Sequence, residues 1–292
     1  MPSLVDILHE DTKIVSLTGF SHILATGTDA ISFLHNQLTN DLKKLDPDKW
    51  QISAWCNPQG RIKAVLWIWK DEQGVHIILP KALELRFIND LERYILRSRV
   101  RLMTVGQSQI AAIMGPQNAV ETNIYRMEDG TTVLCYDQLG RLQVSSEIHP
   151  IECRNHDYVD LWNAHLWHCG YVWVLPETYE KVIPQAIGLR SGVGLSFDKG
   201  CYPGQEVIAR THYKGQSKRN LYRCQVEANK MVLVGESVVH DKEEIGIVMG
   251  VSKLPEEKTH RILCVLIDEK IGNGNLSLTN NEKIEVVDLV KH

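Results

Sequence analysis

The run Ala64 to Trp69, AVLWIW, is six consecutive apolar residues that carry two tryptophans. It is far short of the ~20 residues that cross a bilayer, and its β-branched and aromatic content suits a buried strand. Its neighbours agree. Ile52 to Cys56 precedes it across a Pro58 to Gly60 turn, and Val75 to Leu79 follows a polar tip at Asp71 to Gly74, so successive hairpins are predicted from Gln51 onward. Two helical periods flank this block. Ile31, Leu34, Leu38 and Leu42 recur after a Thr28 or Asp29 cap, with Pro47 beyond their end, and Ala82, Leu85, Ile88, Leu91 and Ile95 follow the hairpins. Val100 to Val105 then returns as a strand. A strand-strand-helix-strand order of this kind predicts an α+β unit, broadly ferredoxin-like.

Elsewhere strands dominate. Lys13 to Leu24 alternates and breaks at Gly19 and Gly27, and Ile110 to Met114, Thr131 to Tyr136 and Arg141 to Ser145 read as further strands. A helix is predicted from about Asp157 to Cys169, with Gly170 as its C-cap, followed by a winding, Pro- and Gly-punctuated connection from Pro176 to Gly194. Beyond Lys218 no long helix is expected. Leu221 to Val226, Met231 to Val239, Ile245 to Val251, His260 to Ile267 and Lys283 to Leu289 read as strands, with turns such as Asn273-Gly274, and predict a small β-barrel or sandwich. A chain of 292 residues divides into two or three such units.

Composition narrows the class. Hydrophobic content of 43% and charged content of 23% are those of a globular protein, and a formal net charge of -4 disfavours a binder that works mainly by neutralising nucleic-acid phosphates. The seven cysteines are scattered and form no CxxC pair, which fits a reducing compartment. MPSLVDILHEDTK carries acids where a secretory signal would carry bases, and no apolar run approaches spanning length, so a cytoplasmic protein without membrane contact is expected.

The densest unusual chemistry lies in Ser196 to Arg210, SFDKGCYPGQEVIAR. Gly200 and Gly204 bracket a Cys-Tyr-Pro turn, and Pro203 fixes its own φ while pushing Tyr202 toward extended backbone. Cys201 and Glu206 therefore flank a rigid corner, with a helix or strand starting at Gln205. Lys199 and Arg210 supply positive charge that favours a thiolate at Cys201. A cysteine that is merely a small buried hydrophobe is the alternative.

KGCYPGQEVIAR resembles the K-G-C-Y-x-G-Q-E signature of the YgfZ-type folate-binding proteins, relatives of the T-protein (aminomethyltransferase) of the glycine cleavage system. Phe33-Leu34, Gln37-Leu38-Thr39-Asn40-Asp41, Asn57-Pro58-Gln59-Gly60-Arg61, Trp162 ahead of Gly170, then Gly215 and Lys218-Arg219 follow the family's order, so the similarity spans nearly the whole chain. It implies a three-unit T-protein-like α+β fold. Residues 1–48 with 152–217 would form a folate-binding core carrying the signature loop, 49–151 a ferredoxin-like inserted unit, and 218–292 a C-terminal β-barrel. It also implies tetrahydrofolate or a one-carbon derivative as cofactor. The function implied is that of a monomeric accessory protein that serves iron–sulfur enzymes or their assembly proteins and, through them, tRNA modification. Direct tRNA contact is left open.

Site residues follow from the same resemblance. Trp162 matches a folate-contacting tryptophan, and a second such tryptophan falls near Phe20, which keeps an aromatic face without the indole N–H. Cys201 would carry redox or sulfur-handling chemistry, and Arg61, Tyr202, Gln205 and Glu206 would line or serve the folate site. Arg61 and Lys63 read equally as a solvated strand face. The T-protein's catalytic aspartate has no counterpart, since Lys63 and Ala64 fall there; this weakens the alternative of an aminomethyl transferase. A scaffold with a vestigial pocket is the third reading. The triplets His165, His168, Cys169 and His149, Cys153, His156 have spacings that metal ligands use, but neither has a paired motif and no metal is expected.

Overall fold

The computed structural model describes residues 12–115, 124–137, 139–145, 157–215, 217–227, 231–254, 257–272, 276–279 and 282–290. The Asn273-Gly274 turn and the His149, Cys153, His156 triplet lie outside them. The expected central strand is β4 (Ile62–Lys70), paired antiparallel with β3 (Gln51–Cys56) and β5 (Val75–Pro80). Residues 64–69 are all buried, because both faces of this strand are covered. The sheet is completed by β2 (Phe20–Thr26) and β6 (Arg101–Thr104), in the order β3-β4-β5-β2-β6.

A second five-stranded sheet has the order β1-β7-β10-β9-β8, from β1 (Lys13–Ser16), β7 (Gln109–Met114), β8 (Ile124–Arg126), β9 (Thr132–Cys135) and β10 (Gly140–Ser145). The N-terminal strands thus hydrogen-bond into both sheets whose other strands follow residue 49. Helix α1 (Ala30–Gln37) buries Phe33 and Leu34 but stops before Leu38, which forms a β-bridge to Trp55; Ile31, expected on the apolar face, is exposed. Helix α2 (Glu84–Glu92) is shorter than its periodicity suggests, since a 3-10 turn (Lys81–Leu83) forms its entry.

After a short parallel pair, β11 (Arg190–Ser191) and β12 (Gly194–Leu195), the C-terminal strands close into a six-stranded barrel, β17-β14-β15-β16-β13-β18, from β13 (Arg219–Glu227), β14 (Ser237–His240), β15 (Glu243–Ser252), β16 (Thr259–Ile267), β17 (Leu276–Leu278) and β18 (Ile284–Leu289). A bridge between Ser277 and Lys283 joins the two ends. The expected strand at Met231 to Val239 is reduced to its last residues, because Leu233 to Glu236 turns before entering the sheet. Inside the barrel Val226, Val238, Ile245, Val248, Cys264 and Leu266 form a separate core, while Met249, Leu263 and Val265 on its outer face join the main core.

Helix α3 (Asp157–Cys169) seals that junction. Ser252 Oγ donates to Asp160 O at 2.7 Å, the Lys253 N–H to Asp160 Oδ1 at 3.1 Å, and Trp167 Nε1 to Ile262 O at 3.1 Å. Gly170, at φ 76°, ends the helix. No helix among the described residues is long and apolar enough to cross a membrane.

Candidate functional site

The predicted site residues fall into two groups. Phe20, at the start of β2, and Trp162, on α3, meet edge to face with ring centroids 5.2 Å apart, and Trp173 approaches Phe20 at 4.8 Å. These rings line a cavity of about 250 Å³, walled on the other side by Met249, Arg261 and Leu263 of the barrel. Segments far apart in the chain thus converge on one mostly apolar space, the kind of lining that accepts a flat aromatic ligand.

Polar side chains on this wall include Asn163, Ser252 and Arg261, and some of its buried donors lack a partner among the described residues. Arg261 Nη2 donates to Glu257 Oε1 at 2.7 Å, while Arg261 Nη1 is buried with no hydrogen-bond partner among the described residues. The indole N–H of Trp173 is in the same condition. Buried unpaired donors are costly and call for an acceptor, so the cavity suits a ligand that brings carbonyl or carboxylate oxygens. Trp173 lies four residues beyond the end of α3, and nothing in the sequence pointed to Arg261 or Met249.

The second group forms the signature corner. Helix α4 (Gln205–Lys214) begins at Gly204, whose φ of 82° is left-handed and whose α-carbon packs against the Asn57 to Gly60 turn. A β-carbon on Gly204 would stand 2.6 Å from both Asn57 O and Gly60 Cα. The Asn57 side chain ties its own turn by accepting from the N–H groups of Gln59 and Arg61 at 3.0 and 2.9 Å. Arg61 is exposed and donates from Nη1 to Lys181 O at 2.8 Å. Cys201 is exposed just ahead of this corner, and Glu206 is exposed in the first turn of α4, where an acid suits the helix N-terminus. Tyr202 is buried; its hydroxyl has no partner among the described residues and is pushed up in pKa by burial, then by Cys56. Neither these residues nor Gln205 line the aromatic cavity.

Lys199 corrects one expectation. Its ammonium is turned inward, donating to His35 O, Leu38 O and Asn40 O, the carbonyls at and beyond the end of α1. Its charge is spent on those backbone groups rather than on Cys201, and burial lowers its pKa to about 8. Lys63, at the position that matches the T-protein aspartate, forms an ion pair with Asp90 and lies 3.7 Å from the centroid of the Trp55 ring.

Of the helical triplet, His165 and Cys169 converge, whereas His168 is exposed and offers only its carbonyl, to Arg223 Nη2 at 2.5 Å. Their common partner is Asp137, on the turn after β9. Its Oδ2 lies 2.8 Å from His165 Nε2 and 2.5 Å from Cys169 Sγ.

A closed C-terminal barrel, two mixed-order antiparallel sheets and a helix sealing an aromatic cavity define the aminomethyltransferase fold. The crystal structure of glycine cleavage system aminomethyltransferase T from Bartonella henselae matches with a TM-score of 0.70, covering 96% of this chain and 86% of that one at 13% identity. No protein-family model matches the chain. Among curated proteins, the tRNA-modifying protein YgfZ of Yersinia enterocolitica is 24% identical over 245 residues, 77% of this chain and 74% of the relative. That of Hamiltonella defensa is 26% identical over 268 residues, 83% and 80% of the two chains. The chain is thus similar in sequence to the YgfZ proteins and has the fold of the glycine cleavage T-protein.

Proposed function

We propose that this chain is a folate-binding accessory protein that supports iron–sulfur enzymes and, through them, tRNA modification, in a reducing compartment such as the cytoplasm. The observation that carries the reading is the cavity where Phe20, Trp162 and Trp173 converge with an unpaired Arg261 nitrogen. A folate has the matching parts: a flat pterin and aminobenzoyl ring for the aromatic walls, and ring carbonyl and glutamate carboxylate oxygens for the orphan donors. Tetrahydrofolate supplies one-carbon and reducing chemistry when bound. Phe20 and Trp162 would pack as one wall against its rings, Arg261 would take an oxygen, and the apolar barrel face would exclude water.

In this reading Arg61, Tyr202, Gln205 and Glu206 build and hold the corner that presents Cys201 to a client protein. Exposure of the thiol, four residues before a helix, supports contact with a partner rather than a core role. The transferase alternative is the weaker one, since Lys63 is tied to Asp90 and no carboxylate among the described residues lines the cavity.

Calorimetric titration with tetrahydrofolate tests the proposal. Wild type should bind saturably, and Arg261→Met should weaken binding by about tenfold or more, the worth of a charged hydrogen bond. Trp162→Phe should weaken it while keeping the fold. Cys201→Ser should bind as wild type yet fail to support iron–sulfur client activity. Absence of saturable binding in wild type would leave a scaffold whose cavity has lost its ligand.

A further inference from the structure

We propose that Asp137, His165 and Cys169 form a binding site for one divalent metal ion of the zinc type, separate from the folate cavity. Among the described residues they are the one group in which three such donor atoms lie within 4.8 Å of one another. His165 and Cys169 are one helical turn apart on α3, so their donors project from the same face, and Asp137 reaches them from the other sheet. Nitrogen, thiolate sulfur and carboxylate oxygen together are a donor set for zinc, with the fourth position left to water or a ligand.

Three features of the surroundings favour a built site over a chance contact. First, Tyr136 OH lies 3.3 Å from His165 Nδ1. A hydroxyl there can accept the Nδ1 proton and leave Nε2 free toward Asp137 and Cys169, as the outer partner of a metal-bound imidazole does. Second, Gly140 makes room for these rings. A β-carbon on it would stand 2.4 Å from two atoms of the Tyr136 ring and 2.5 Å from His165 Cε1, although its backbone needs no left-handed φ. Third, the charges balance: carboxylate, thiolate and neutral imidazole sum to two negative charges against a dication.

Without the ion, the thiol must keep its proton. Burial, then the charge and hydrogen bond of Asp137, hold the Cys169 thiol well above its ordinary pKa. Burial works against the Asp137 charge, yet hydrogen bonding and the charge of His165, helped by Cys169, bring its carboxyl down to about 2. Cys169 Sγ donates to Asp137 Oδ2 and His165 Nε2 faces the same oxygen, so an entering metal displaces the thiol proton to solvent, and the Nε2 proton leaves or passes to Nδ1 beside Tyr136, as the metal–sulfur and metal–nitrogen bonds form. Tetrahedral zinc at about 2.0–2.3 Å from its donors spaces them roughly 3.3–3.6 Å apart, so the contacts must open by about 0.5–1 Å. Asp137 can supply that motion, since its side chain is 26% exposed and sits on a turn, while the helix fixes His165 and Cys169.

The test uses the full chain, stripped by a chelator and titrated with cobalt(II). Expected are tetrahedral d–d bands and a thiolate-to-cobalt charge-transfer band saturating at one ion per chain, with proton release on binding and displacement by zinc. Cys169→Ala should lose the charge-transfer band, Asp137→Asn should weaken binding about tenfold or more, and Cys201→Ser should keep both. Zinc should raise the melting temperature of wild type and of Cys201→Ser, but not of Cys169→Ala. Should Cys169→Ala fail to fold, Asp137→Asn, a near-isosteric change on a half-buried turn, reads the same site. Absence of the bands in wild type would overturn the proposal, as would a charge-transfer band lost in Cys201→Ser and kept in Cys169→Ala or Asp137→Asn.

Discussion

Replacing Gly204 by alanine should be the most damaging single-methyl change at the signature corner, and Gly200→Ala beside it the control. Gly204 has φ 82°, where a non-glycine residue costs about 1–2 kcal/mol. Its new β-carbon would also meet three backbone atoms, Asn57 O and Gly60 Cα at 2.6 Å and Gly60 N at 2.7 Å. Backbone cannot rotate away as a side-chain end can, so the Asn57 to Gly60 turn must shift, at a further ~1–3 kcal/mol. The sum is about 2–5 kcal/mol. Gly200 has no positive φ, and a β-carbon there meets nothing within 4 Å, so its alanine variant should change stability by no more than about 0.5 kcal/mol. Urea unfolding followed by tryptophan fluorescence measures both, at matched m-values. Equal midpoints for the two variants would refute the claim that the corner is locked by backbone contact. Because the cavity lies elsewhere, folded Gly204→Ala should still bind tetrahydrofolate while altering the alkylation rate of Cys201.

Other perturbations test the interior. Ser108 Oγ, His22 Nδ1, His22 Nε2 and His76 Nδ1 form two successive 2.9 Å hydrogen bonds, and His76 Nε2 lies 2.9 Å from Asp71 Oδ1. Burial, and then the proximity of His76, lower the His22 pKa to about 3. The unfolded chain therefore binds a proton at His22 that the folded chain refuses between pH 6.5 and 3. Stability is full above pH 6.5 and should fall on acidification by about 1.4 kcal/mol per pH unit from this group; urea midpoints unchanged between pH 6.5 and 4.5 would contradict it. Lys199→Met removes the donor shared by His35 O, Leu38 O and Asn40 O and should cost on the order of 3 kcal/mol, read by thermal melting. Gly140→Ala, whose β-carbon would overlap Tyr136 and His165, should destabilise the fold by about 1–3 kcal/mol and weaken cobalt uptake.

What the sequence revealed follows from how local each signal is. The strands of the hairpin block were legible because AVLWIW and its neighbours alternate with turn residues over short distances, and β3, β4 and β5 stand where expected. The helix of α3 and its glycine stop were legible for the same reason. Helix α1 was overextended, since Leu38 and Leu42 are buried like helical core residues but are reached through a β-bridge and a loop. Periodicity cannot separate those routes to burial. Strands β8 and β17 have only three residues each, too few to show a period.

The site was legible to the extent that its parts lie in one segment or in the family signature. Phe20 and Trp162 were found as separate aromatic positions, and only the folded chain brings their rings to 5.2 Å. Arg261 lies on a barrel strand among other charged and polar residues, and what marks it is a buried nitrogen without a partner, a property no spacing encodes. Lys199 shows the reverse error: adjacency to Cys201 in sequence suggested an electrostatic role, whereas its long side chain turns back to satisfy helix-terminal carbonyls. Asp137 joins His165 and Cys169 from 28 and 32 residues away. The i, i+4 pair on α3 was visible, but its third donor depends on how a turn of one sheet meets a helix of another. Residues on α3 face both the aromatic cavity and this cluster, and Tyr136 stands 5.0 Å from Trp67, itself 5.1 Å from Trp173. A metal that repositions Asp137 and His165 would press on Tyr136 and, through Trp67, on the cavity wall, so tetrahydrofolate affinity measured with and without zinc should differ in wild type and agree in Cys169→Ala.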